Sequence, residues 1–236
     1  MSRFGLGMHP FGKESRGIEV RFSTDVDLLK WEPVLFRELY LPSQTLALGQ
    51  DGELEGTVFS SASGAFDEVG ISAGHVIYLH DSDNLDGCYE VVSVDSATEL
   101  TVSVVRMSTD EEALAPPAGS GIDYRISTFE PQAEEAAYGL GQYFGLKISE
   151  GEVEDGAVNI LNSRALRQAS VFAVLSSVMA GSAGGKDDGE GFWMKSSRYR
   201  EMFCRARARA RLEIDKDSDK SAEEILSGGS VQLRRR

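Results

Sequence analysis

Four arginines at alternate positions, Arg205, Arg207, Arg209 and Arg211, follow an aromatic pair, Tyr199 and Phe203, near the C-terminus. On a helix, alternate residues turn by about 200°, so the four would form two i,i+4 pairs, Arg205–Arg209 and Arg207–Arg211, on roughly opposite sides. Like charges at that spacing repel. The pattern therefore asks for acidic partners from this chain or a neighbouring one, the alternatives being a solvated face or contact with nucleic acid. A second cationic feature ends the chain: Gly228-Gly229 gives a joint, Val231 and Leu233 are two apolar anchors, and Arg234, Arg235 and Arg236 close it. Such a segment suits a sheet edge or groove, with its guanidiniums on carboxylates; a disordered tail is the alternative.

Other constellations carry less chemistry. The stretch 180–187, AGSAGGKD, approaches a phosphate-binding loop. That pattern needs Gly where Ala180 stands, Ser or Thr where Asp187 stands, and a preceding strand where a helix is expected. Asp215, Asp217 and Asp219 alternate as at the start of a calcium loop, yet Lys220 occupies the glycine position and Leu226 the glutamate position; an acidic turn at a helix end is expected. His9, His75 and His80 lack metal spacing, and no serine, histidine and aspartate combination has a nucleophile context. Cys88 and Cys204 fall in different parts of the chain and read as reduced, buried thiols. No catalytic residue, cofactor or metal is expected, and the chain reads as a non-enzyme.

Charge is divided unevenly. Residues 193–236 carry +5, so residues 1–192 carry −19 of the chain's net −14. A body so acidic is a poor general DNA binder. With 236 residues, 41% hydrophobic and 26% charged, a folded soluble protein is expected. No run of 18 apolar residues suggests a membrane span, and the first residues lack the apolar core of a secretory signal.

The elements that must position these residues are legible from periodicity. Residues 1–22 read as an extended arm. Residues 23–44 read as a helical segment opened by Ser23-Thr24-Asp25 and interrupted by Pro33. From about Leu46 the period changes to two, with strands expected at 56–60, 75–80, 88–94, 100–106 and 122–128. Turn chemistry at Asp51-Gly52, 81–87 and 95–98 separates them, and 108–121 reads as a long acidic loop. Residues 45–128 thus form a small antiparallel β-barrel or sandwich. Residues 129–213 are helical: one helix with Pro131 in its first turn and Gly145 after its end, a second from 162 or 163 to 180, and a third over 193–213. Residues 214–236 are the acidic turn and extended tail. The fold class expected is α+β, a C-terminal helical bundle with the β-domain inserted after a short N-terminal helix.

Lys195, Tyr199-Arg200, then Leu212-Glu-Ile-Asp-Lys-Asp-Ser-Asp219, then Val231-Gln-Leu-Arg-Arg235 give an order that resembles the C-terminal part of head–tail adaptor (connector) proteins of tailed bacteriophages. In that family a "LDxDGDG" turn precedes a terminal "V-x-L-R-R", and the likeness covers roughly residues 129–236. The resemblance implies a structural protein of the virion neck, assembled in the host cytoplasm as a ring, with twelve copies to match the portal. The portal would take Val231, Leu233 and Arg234–Arg236, and tail or neck proteins would lie below. Double-stranded DNA would pass through the lumen without specific binding, and no membrane would be involved. Trp193, Tyr199, Phe203 and the four arginines become subunit-interface or core residues. A different class remains open: a virion module binding carbohydrate or a receptor through the β-domain, with Tyr78 and Tyr89 as stacking rings and the helices as an oligomerisation stalk. A third reading, a DNA-associated protein acting through its arginines, would show strongly salt-dependent binding.

Overall fold

The computed structural model describes residues 21–82, 85–146, 159–184, 189–215 and 219–229. Most of the expected N-terminal arm and the tail residues Val231, Leu233 and Arg234–Arg236 lie outside the described residues. Two short helices come first. α1 (Asp25–Leu29) starts where Thr24 is extended and its N–H donates to Asp27 Oδ2 at 3.2 Å. Pro33 separates it from α2 (Leu35–Glu38), and Pro42 opens a 3-10 turn (Pro42–Gln44). Helices of five and four residues have no stability of their own; they persist because Leu28, Leu29, Leu35 and Phe36 are buried.

Six strands follow: β1 (Thr45–Glu55), β2 (Val58–Ser61), β3 (Val76–His80), β4 (Asp86–Val94), β5 (Glu99–Ser103) and β6 (Gly119–Ser127). They close an antiparallel barrel in the order β1-β2-β5-β4-β3-β6, with β6 returning to β1. The long loop runs over 104–118. Five strands were legible; β1 was not, and Asp51-Gly52, which reads as a turn, lies inside it. A Cβ on Gly49 would stand 2.6 Å from the Tyr124 ring, and one on Gly52 2.8 Å from Phe59. These glycines therefore let the strand bend over two core aromatics where its register with β6 shifts. The Asp51 carboxylate fixes the bend, accepting from Ser61 Oγ at 2.8 Å and from Ser63 N–H at 2.9 Å. Those bonds hold its pKa below the ordinary carboxylate value, Ser61 contributing most. The hairpin turn falls instead at Gly56, with φ +60°.

The helical part is α3 (Glu130–Phe144), α4 (Arg164–Ala183) and α5 (Gly189–Arg209). In α3 the expected face, Ala133, Ala137, Leu140 and Phe144, is buried, and Gly145 caps the helix at φ +69°. α4 continues past Gly181, and the expected 193–213 helix stops at Arg209. Beyond Ala210 the period becomes two: Leu212 and Ile214 are buried while Arg211 and Glu213 are exposed. β8 (Arg211–Asp215) pairs with β7 (Asn159–Ile160) and β9 (Glu224–Ser227) in a three-stranded antiparallel sheet. A ladder partner 14 residues downstream, Leu226 opposite Leu212, overrides the helical pattern of the arginines.

Two hydrophobic clusters hold helices and sheet. One joins α1, α2 and α3 to α4 and α5 through Leu35, Phe36, Phe129, Phe172 and Tyr199, and reaches Val76 on the barrel. The other packs α3 and α4 on β8 through Leu140, Phe144, Leu166, Leu212 and Ile214. Outside the barrel, the Arg125 guanidinium lies 3.9 Å from the Tyr40 ring centroid and donates to the Phe36 carbonyl at 2.7 Å, tying α2 to β6.

The glycines yield a paired prediction. Gly49→Ala forces its Cβ into Tyr124 and should cost about 1–3 kcal/mol. Gly139→Ala, on an open face of α3 with nothing within 4 Å of the new Cβ, should gain about 1 kcal/mol. Thermal or denaturant unfolding of the two variants checks both signs.

Candidate functional site

The four arginines do not divide as helical spacing implies. Because the helix ends at Arg209, Arg211 swings with β8 onto the side of Arg205 and Arg209. All three rim one groove of about 530 Å³ between α4 and α5, whose lining includes Phe172, Met202 and Ala206. Arg205 is paired with Glu201 one turn earlier. Among the described residues, no carboxylate pairs with Arg209 or Arg211. The groove thus joins cationic rims to an apolar floor.

Arg207 points the other way. Its guanidinium lies 4.0 Å from the Tyr143 ring centroid and 4.9 Å from that of Phe203, over a second groove between α3 and α5. Phe203 is half-buried and packs into both helical clusters. The chain leaves toward its tail here: Gly228 N–H donates to the Ala210 carbonyl at 2.9 Å and Gly229 N–H to Tyr143 Oη at 3.0 Å.

Tyr199 is buried within its own chain. Its ring stacks with Phe172 at 6.1 Å and its hydroxyl donates to Glu32 Oε1 at 2.5 Å, while Lys195 holds Glu32 Oε2 at 3.0 Å. Burial, then the Glu32 bond, raises the phenol's pKa. Glu32, which sequence reasoning passed over, is therefore the link from the α1–α2 connection to α5. Trp193 is 60% exposed and Met194 beside it 67%, so this turn of α5 is apolar and uncovered.

In the acidic turn, Asp215, Asp219 and Glu223 bring one carboxylate oxygen each to within 4.8 Å of one another. Three oxygens would suit a hard cation, but one Asp215 oxygen accepts the Lys220 N–H at 2.9 Å. Lys220 takes φ +69°, the conformation a glycine would supply without strain. Lys220→Gly should therefore raise stability by about 1 kcal/mol, read as a higher denaturation midpoint.

Sequence reasoning also missed a polar cluster at the joint of barrel and helices. Asp25 is buried, and its Oδ1 accepts the Phe129 N–H at 2.9 Å. Burial pushes its pKa up to about 7. His75, also buried, accepts the Ser72 N–H on Nδ1 at 3.0 Å, which leaves the neutral ring's proton on Nε2. That nitrogen is 3.0 Å from Glu130 Oε1 but off the hydrogen-bond axis. Burial first, then the charge of Arg21, lowers the His75 pKa to about 4. Arg21 itself pairs with Glu130. Single Asp and His residues with no spacing pattern give no signal in a sequence.

The remaining candidates have structural settings. The hydroxyl of Tyr78 donates to Asp86 Oδ1 at 2.9 Å and its ring centroid lies 5.2 Å from Arg125, while the half-buried Tyr89 packs against the barrel core. Cys88 is half-buried, its thiol raised to about 11 by burial, whereas Cys204, expected buried, is exposed on α5. In the stretch 180–187, Ala180–Ala183 continue α4, and Lys186 and Asp187 lie outside the described residues. Among the described residues no helix is long and apolar enough to cross a membrane. Comparison with known proteins adds no relative: no family model, curated protein or solved structure matches the chain.

The joint cluster makes stability respond to pH in two opposing ways. Asp25 keeps in the folded state a proton that the unfolded chain loses above 3.8, so its contribution falls as pH rises from about 4 to about 7. His75 refuses when folded a proton that the unfolded chain binds below 6.5, so its contribution rises from about 4 to about 6.5. Each slope is at most about 1.4 kcal/mol per pH unit. Denaturation at pH 4.5 and 6.5 should find Asp25→Asn more stable at the higher pH, and His75→Gln more stable at the lower.

Proposed function

We propose that this chain is a head–tail adaptor of a tailed-phage neck: a ring of identical subunits, twelve to match the portal, seated beneath it and joined below to tail or neck proteins. It is a structural virion protein that forms in the host cytoplasm and leaves a lumen through which DNA passes without being held. The observation that carries the reading is the order of elements after residue 129. Three helices end in an antiparallel hairpin, and that hairpin delivers the terminal segment from a fixed point beside Tyr143. A short tail emerging from an anchored hairpin is well suited to reaching a neighbouring ring, with Val231 and Leu233 as apolar contacts and Arg234–Arg236 as charged ones. Further support comes from α5, which leaves Trp193, Met194 and its arginine groove uncovered within one chain. The strongly acidic body agrees with a surface past which DNA slides.

Because Gly228 and Gly229 are bonded into the hairpin, the tail is best removed at residue 230. Co-expression with the cognate portal should give a stable complex with the intact chain and lose it on deletion of 230–236, with the thermal midpoint of the remaining protein unchanged. Failure of the intact chain to associate would refute the adaptor reading.

A further inference from the structure

Two surfaces match one another in charge and in apolar content, and both present exposed side chains. The first is the α4–α5 groove, with Arg209 and Arg211 unpaired among the described residues, over Phe172 and Met202. The second is the loop 104–118. Its stem is built: the buried Arg106 guanidinium holds Glu90 Oε1 at 2.7 Å and donates to the carbonyls of Thr109 at 3.2 Å and Glu111 at 2.6 Å. Leu114 N–H donates to Ser103 Oγ at 2.8 Å, and Met107 N–H to Glu111 Oε2 at 3.1 Å. What this stem displays is Met107, 88% exposed, Leu114, 57% exposed, and the exposed residues Asp110 and Glu112. A loop held this firmly loses little freedom on docking.

The loop is tied away from its own groove. Met107, Ser108 and Thr109 line a cleft with Arg164 and Arg167, and Lys30 Nζ donates to the Met107 carbonyl at 3.4 Å. Ala165 and Gln168, on another face of the same turns of α4, line the arginine groove. We infer that the loop of one copy docks in the α4–α5 groove of a second copy, Asp110 and Glu112 meeting Arg209 and Arg211 while Met107 or Leu114 covers Phe172 and Met202. The inference rests on the ring reading for its second copy. Two different patches that complement each other make a heterologous contact, which closes into a ring when its rotation does. A DNA backbone would satisfy the arginines but leave the apolar floor uncovered, and the −19 of residues 1–192 would repel it.

The test is the mass read by sedimentation equilibrium in the analytical ultracentrifuge for the full chain over a wide concentration range, at low and high salt. Wild type should self-associate, more weakly at high salt. Arg209→Glu/Arg211→Glu and Asp110→Arg/Glu112→Arg should each weaken association at least about tenfold. Mixing the two variants should restore it, because each then offers the surface the other lacks. Leu114→Asp, which leaves the arginines intact, should weaken it as well, and circular dichroism confirms that each variant is folded. A wild type that stays monomeric, reversals without effect, or no recovery on mixing would each overturn the contact. So would binding of a DNA duplex that the arginine reversal abolishes in the absence of self-association. If the groove variant still forms complete rings on the portal, this contact falls and the adaptor reading stands. If association behaves as described but the intact chain ignores the portal, the adaptor reading falls alone.

Discussion

The structure depends on a carboxyl group buried where three parts of the chain meet. Asp25 opens α1, receives the N–H of Phe129 as the chain passes from β6 into α3, and sits beside the Ser23–Ser170 bond that reaches α4. Burying a carboxylate without full compensation is costly, and its raised pKa expresses that cost. Neutralisation at the joint makes the arrangement tolerable, and the same burial keeps His75 uncharged. One short segment, 21–39, therefore lies against the barrel and the helical layer together. Its two helices are too short to exist without both.

That dependence explains which parts were legible in the sequence. α3 was readable because its signals are local: Pro131 at one end, Gly145 at the other and a buried face at steps of four, three and four. Five strands were readable from β-branched residues and alternation. β1 was not, since Asp51-Gly52 is turn chemistry by composition and becomes strand only because Tyr124 and Phe59 demand a bare backbone at Gly49 and Gly52. The end of α5 failed for a similar reason. Alternating Arg and Ala fit a helix or a strand, and the choice lay with β9, a partner invisible to any local window.

The candidate site was legible in its residues and not in its geometry. Helical spacing puts Arg211 with Arg207, whereas the change to strand at Arg211 sends it to the opposite side with Arg205 and Arg209. The consequence is chemical. Arg207 becomes a stacked, half-buried side chain over Tyr143, and the other three line an open cationic groove. An acidic, long loop was visible over 108–121, but the strand expected over 100–106 stops at Ser103, and nothing in the composition announces that Arg106 is buried beneath the loop as a brace. Glu32, with its ties to Tyr199 and Lys195, was equally silent.

The joint has a further consequence in the order of synthesis. Asp25 waits for a partner 104 residues later, Ser23 for one 147 residues later and Glu32 for one 167 residues later. The segment 21–39 therefore leaves the ribosome well before the residues that complete it. Until α5 has emerged, Leu28, Leu29, Leu35 and Phe36 lack much of their cover, whereas the barrel closes among residues 45–127 alone. Translation therefore yields a finished barrel trailing an unfinished wedge, and the apolar wedge is the part of the nascent chain most in need of protection.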